Sequence, residues 1–240
     1  LYDDVLDRPE DAVTHTRQAA ERYLALRDAA GEGRARSNLA KTLRRLGRRS
    51  EARREIERAL ACKRGLGHAV EPWKTWDILA AIENDDGRAP EARQAIRQAR
   101  EAFLAYRRDG GENHRGGGRL AAEITALLLA GDSGSADAVL AQLAAELASD
   151  ANAPAWAPPF VAALSAIVAG ERNAALADAP GLDYDDAAEI VLLLEQLAAA
   201  GPIARTTRAG PRAVKRMMWV IGAVGAVAAV AALSYALGTG

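Results

Sequence analysis

The sequence predicts an all-α fold: an α-solenoid of helical hairpins followed by one C-terminal transmembrane helix. Three observations predict it. A segment of about forty residues recurs in register. The body is rich in alanine and arginine, only 5% aromatic, and shows no two-residue alternation of apolar and polar positions before the tail. Residues 217–237 then form an uncharged apolar run. The chain so divides into repeats over 1–108, a glycine-rich linker over 109–118, degenerate helical hairpins and a cap over 119–200, a basic linker over 201–216 and the span over 217–237.

The repeat is read directly. GRRSEARREIERA (47–59) aligns without a gap with GRAPEARQAIRQA (87–99), forty positions downstream. RQAAERYLALR (17–27) aligns with RQAREAFLAYR (97–107) at twice that offset, and Ala12 and Ala19 stand one offset before Ala52 and Ala59. Three copies in register point to a stacked array. In the first full unit Leu39, Leu43 and Leu46 share a helix face that stops at Gly47, a residue suited to a left-handed helix end. Ser50 and Glu51 then start a second helix with the stripe Ala52, Ile56, Ala59 and Leu60. In the next unit Trp76, Leu79 and Ile82 form the first face, and Ala92, Ile96, Ala99 and Phe103 the second. Beyond the glycine-rich linker the pattern degrades. Leu120, Ile124, Leu127 and Leu128 precede Gly131, and Ala138, Val139, Leu143 and Leu147 follow. Residues 158–170 begin with proline and stop at glycine. Residues 183–200 give a last helix with Ile190, Leu193, Leu194 and Leu197 as its stripe.

Leu43, Leu46, Gly47, Ala52 and Ala59, with Gly87, Ala92 and Ala99, give the first 108 residues a pattern that resembles the tetratricopeptide repeat family. The departures are a period near 40 rather than about 34, Ser50 and Pro90 where an aromatic is usual, and Glu83 and Asp86 at apolar positions. The resemblance implies an α-solenoid whose first helices line a groove for partner peptides. The phrases EPWKTWDIL, FLAYRRDGGENH and GLDYDDAAEIVLLLEQL are also similar to the C-terminal repeat arrays of bacterial signal-transduction NTPases of the STAND type. That resemblance implies a ligand-sensing region whose NTPase core lies upstream of Leu1.

Charge excludes one class of partner. The 31 basic and 32 acidic residues leave a net charge of −1, without the global pull toward nucleic acid of a basic protein. The single Cys62 excludes an internal disulfide and suits a reducing compartment. The start, LYDDVLDRPEDAV, lacks both the features of a signal peptide and an initiator methionine, which leaves room for the chain to be part of something longer. Arginine outnumbers lysine by 27 to 4, a bias that fits a bacterial coding sequence of high GC content.

No catalytic, metal or cofactor constellation is expected, and the chain is not read as an enzyme. His15, His68 and His114 are far apart in sequence, and none has a second His or Cys one helical turn away. Cys62, at the end of a stripe, reads as packing even with Lys63 and Arg64 beside it. DGGENHRGGG (109–118) lacks the ending of a phosphate loop. DYDD (183–186) lacks the glycine and glutamate of a calcium loop and reads as carboxylates at a helix N-terminus. The one feature above this background is basic. Residues 34–64 hold twelve Lys or Arg and three acids, Glu51, Glu55 and Glu57. On the first helix of that hairpin, Asn38, Lys41, Arg44, Arg45 and Arg48 are the candidate partner-binding residues, suited to an acidic protein segment or a C-terminal carboxylate.

The tail supplies the anchor. Twenty-one residues at 1.5 Å each span roughly the 30 Å of a bilayer core. Arg205, Arg208, Arg212, Lys215 and Arg216 precede it, which keeps that side cytoplasmic. Trp219 and Tyr235 lie near its ends, at headgroup level. Gly222 and Gly225, each four residues before an alanine, permit close approach of a second copy and thus a homo-oligomer. The expected location is the cell inner membrane, single-pass, with the repeats on the cytoplasmic side.

Overall fold

The computed structural model describes residues 8–201. The predicted span, with Trp219, Gly222, Gly225 and Tyr235, and most of the basic linker lie outside the described residues. Among the described residues no helix is long and apolar enough to cross a membrane.

The chain divides into two compact units, Leu1–Gly110 and Gly111–Gly240. Its described residues form nine α-helices and no strand, as the composition predicts. The first unit holds α1 (Pro9–Ala25), α2 (Ala29–Arg45), α3 (Arg49–Lys63), α4 (Pro72–Asp85) and α5 (Ala89–Arg108). The second holds α6 (Gly116–Leu129), α7 (Ser133–Ser149), α8 (Ala157–Ala169) and α9 (Tyr184–Ala200).

In the first unit the forty-residue period is a period of structure. Helices α1, α3 and α5 begin at Pro9, Arg49 and Ala89, forty positions apart, and α2 and α4 end at Arg45 and Asp85. Each helix packs on the next in the chain, and the two first-position helices, α2 and α4, also lie side by side. The core runs along the seam: Val13, Leu39, Leu43, Ala52, Ile56, Ala59 and Ile82 are buried together. Ala52 and Ala59 lie on the face of α3 turned to this cluster, where a small side chain brings two helix axes close.

The turns repeat too. At the end of α2 the Gly47 amide donates to the Arg44 carbonyl and the Arg48 amide to the Leu43 carbonyl, and Gly87 and Arg88 do the same with Asn84 and Glu83. This closure needs a left-handed residue, and Gly47 and Gly87 supply it at φ 72° and 71°. Between α1 and α2 the same pair of bonds forms around Arg27, a non-glycine held at φ 57°.

Some expected positions shift. Ser50 does not cap α3; the residue before each of α1, α3 and α5 is an arginine, paired with the acid three residues on. Arg8 with Asp11, Arg48 with Glu51 and Arg88 with Glu91 are three copies of one device in register. On α4, Trp73 is buried while Trp76 and Leu79 are half-buried, because Trp73 stacks with Phe103 and Tyr106 of α5 at ring-centroid distances of 5.5 and 4.8 Å. On α5 the buried stripe is Ala92, Ala95, Ala99 and Phe103, with Ile96 only half-covered. Glu83, an acid where the repeat predicts an apolar residue, is buried and held by Arg53 and Arg88.

The second unit packs differently. Helix α6 pairs with α9 and α7 with α8, so the first helix lies against the last and the four close around one core. Leu120, Ile124, Val139, Leu143, Phe160, Leu164, Ile190, Leu193 and Leu197 fill it. Helix α8 starts at paired prolines and ends at Gly170. The expected linker ends early: Gly116, Gly117 and Gly118 form the first turn of α6. A β-carbon on Gly117 would collide with an Asp186 carboxylate oxygen, and one on Gly118 would strike Asn113. These glycines permit close approach of side chains to the helix start.

Candidate functional site

The candidate partner-binding residues separate into two groups. Asn38, Lys41 and Arg45 are exposed, and with Arg34 they recur at the four-, three- and four-residue steps that keep one face of α2. The opposite face of the helix carries Leu39 and Leu43 into the core, so the burial of those leucines turns the basic stripe outward. Arg34 and Lys41 make no ion pair among the described residues.

Arg44 and Arg48 belong to the scaffold instead. The Arg44 guanidinium grips Asp85 of α4 with two bonds, Nε at 2.6 Å and Nη2 at 3.2 Å, tying neighbouring first-position helices together. This contact holds the Asp85 carboxyl below its usual range. Arg48 donates to Glu51 at 2.7 and 2.9 Å and reaches Glu10 of α1 at 3.1 Å. Its bond to Glu51 is the main reason its own pKa is raised and that of Glu51 lowered. Sequence reasoning could not separate the groups, because Asp85 and Glu10 lie 41 and 38 positions away.

Beneath the stripe lies a buried ionic seam. Arg36 donates to Glu32 one turn back at 2.7 Å and to Glu55 of α3 at 2.6 Å, with all three side chains largely covered. Burial alone lowers the pKa of Arg36, but the bonds to the two glutamates outweigh it and the net direction is upward. Arg53 of α3 likewise clamps Glu83 and Asp86 at 2.7–2.8 Å. The basic excess of residues 34–64 is thus partly spent on internal pairs, while Arg34, Asn38, Lys41 and Arg45 are exposed along α2.

The other candidates fall into place. Burial, followed by the nearby Glu32, pushes the Cys62 thiol up, the direction of an inert packing residue. His68 packs against Trp73 and Tyr106 and bonds Asp109 at 2.8 Å. In the second unit, Asp183 precedes α9, and Asp185 and Asp186 occupy its first turn, as expected of acids at a helix N-terminus. Carboxylate oxygens of the three lie within 4.8 Å of one another, a spacing at which a divalent cation fits. Arg115, however, pairs with Asp185 at 3.1 Å and lies over the Tyr184 ring. Asp186 does not meet the helix as an ordinary carboxylate. Burial, then the charges of Asp185 and Asp183, push its pKa up to about 8.

No protein-family model, no curated protein and no solved structure matches this chain.

Proposed function

We propose that this chain is a tetratricopeptide-like interaction scaffold, anchored to a membrane by residues 217–237, that captures an acidic protein segment along the first-position helices of its repeats. The observation that carries the reading is the outward stripe Arg34, Asn38, Lys41 and Arg45 on α2. Helix pairs stacked at a fixed period present an extended surface for a partner chain. Guanidinium and ammonium groups on that surface suit carboxylates, and an asparagine between them offers a donor and an acceptor to a peptide backbone.

The test uses the full chain and two fluorescent dodecapeptides, one rich in Asp and Glu with a free C-terminal carboxylate, one rich in Lys. The acidic peptide is expected to bind by fluorescence anisotropy, more weakly as salt rises because exposed pairs are screened within about 8–10 Å. The triple variant Arg34→Glu, Lys41→Glu, Arg45→Glu is expected to lose at least tenfold in affinity. Equal binding of both peptides, or no change in the triple variant, would overturn the reading.

A further inference from the structure

We propose that the exposed end of α1 is a docking surface for an amphipathic helix of a partner protein, one that carries a tryptophan near its start. The register of the repeat dictates this occupant. Residues 17–27 match residues 97–107, so Tyr23 stands at the place of Phe103 and Leu26 at that of Tyr106. On α5 those two rings pack against Trp73, the second residue of α4, at centroid distances of 5.5 and 4.8 Å. The hairpin of α2 and α3 closes at the same register. There a β-carbon on Gly33, the counterpart of Trp73, would lie 2.9 Å from Cγ of Lys63, the counterpart of Phe103. Tyr23 is aromatic like Phe103, so α1 follows α5 in what it offers a covering helix.

Among the described residues, α1 alone of α1, α3 and α5 lacks such a cover. Tyr23 leans on Gly31 of α2 yet is 37% exposed, and Leu24 and Leu26 are 54% and 75% exposed, whereas Phe103 is 6% exposed. Ala19 is half-buried where Ala59 and Ala99 are fully buried. A single exposed leucine is ordinary on a protein surface. Three large apolar side chains within one turn make a patch, and such patches mark sites of association. Residues 1–7 are half the length of the fourteen-residue α4, too short to supply an equal cover. A helix that lays an aromatic anchor on an apolar face is a recurring mode of recognition, and tryptophan is among the strongest anchors. The surface follows from the repeat register and is independent of the basic stripe on α2.

The probe is a fluorescent peptide of residues 67–87, which contains α4 with Trp73, titrated with the full chain by anisotropy. It is expected to bind saturably, one per chain, and its Trp73→Ala form at least tenfold more weakly, a comparison that needs no variant of the protein. The double variant Leu24→Asp, Leu26→Asp alters only residues more than half exposed. It is expected to keep the helical circular dichroism of the parent and to lose at least tenfold in peptide affinity. No saturable binding, equal binding of the Trp73→Ala peptide, or equal binding by the double variant would each overturn the proposal; the last would place the peptide on α5 in exchange for α4. Sedimentation of the chain alone tests the other occupant. Self-association that the double variant abolishes would assign this face to a second copy and overturn the partner helix.

Discussion

Asp186 shows how one carboxyl can set a pH dependence for a whole unit. Its carboxyl lies against Gly117 at the start of α6 and is pushed up to about 8, whereas an unfolded aspartate titrates near 4. Between those values the folded chain holds a proton that the unfolded chain has released, so stability falls as pH rises from about 4 to about 8. Below about 4 both states are protonated and the group costs nothing. Asp186→Asn keeps the shape and removes the titration. The variant is expected to match the parent near pH 4 and to exceed it at pH 8 by on the order of a few kcal/mol, since each pH unit separating the folded and unfolded pKa is worth about 1.4 kcal/mol. Thermal melts across that range check it; a constant difference between the two proteins would contradict the assignment. At the same contact, Gly117→Ala forces a β-carbon onto the carboxylate and is expected to cost about 1–3 kcal/mol.

At the scale of the element, the seam between α2 and α3 is held by a charge that cannot be removed alone. Arg36 serves both Glu32 and Glu55 in a largely covered position. Arg36→Met would leave two glutamates short of their partner, and such a loss typically costs roughly 3–5 kcal/mol. Adding Glu32→Leu is expected to recover part of that, because Glu55 retains Arg58 at 3.5 Å. Chemical denaturation of the parent, single and double variants measures it; a double variant less stable than the single one would count against the seam. Arg36, Glu32 and Glu55 also mark where the sequence stops being legible. Leucine and alanine spacing, with Gly47 and Gly87 as stops, gives the helices of the first unit because those are local, periodic consequences of burial. The role of an arginine is not local. Arg44 and Arg45 are adjacent and chemically identical, and only the distant Asp85 makes one a strut while the other stays on the outward stripe. Trp73 and Trp76 are equally inseparable until Phe103 and Tyr106 arrive from α5. The closing of α6 onto α9 is hidden for the same reason: apolar stripes say which face is buried, not which helix covers it.

For the molecule as a whole, the division at Gly110 and Gly111 and the predicted tail each make a claim about parts. Glu112 lies between helices α5 and α6 with its side chain 73% exposed. A glutamate-specific protease is expected to cut there early and leave two helical fragments that resist further digestion; progressive loss of both would contradict two self-contained cores. In the proposed function the tail decides where the molecule resides. Residues 217–237 carry no charge over a length that spans a bilayer core, and five basic residues stand before them. Alanine contributes little to insertion, so the valines, Leu233, Leu237, Ile221 and the two methionines must supply most of the driving force. The full chain is therefore expected in the membrane fraction, resistant to carbonate and extracted by detergent. A chain ending at Arg212 keeps every helix found among the described residues and is expected in the supernatant. Replacing Val224 and Val227 with arginine in the intact chain should give the same release, since two charges near the middle of a span cost about 5–7 kcal/mol on insertion scales. Should the shortened chain stay with the membrane, the repeats themselves would have to hold it there, and the basic stripe on α2 would become the first surface to mutate.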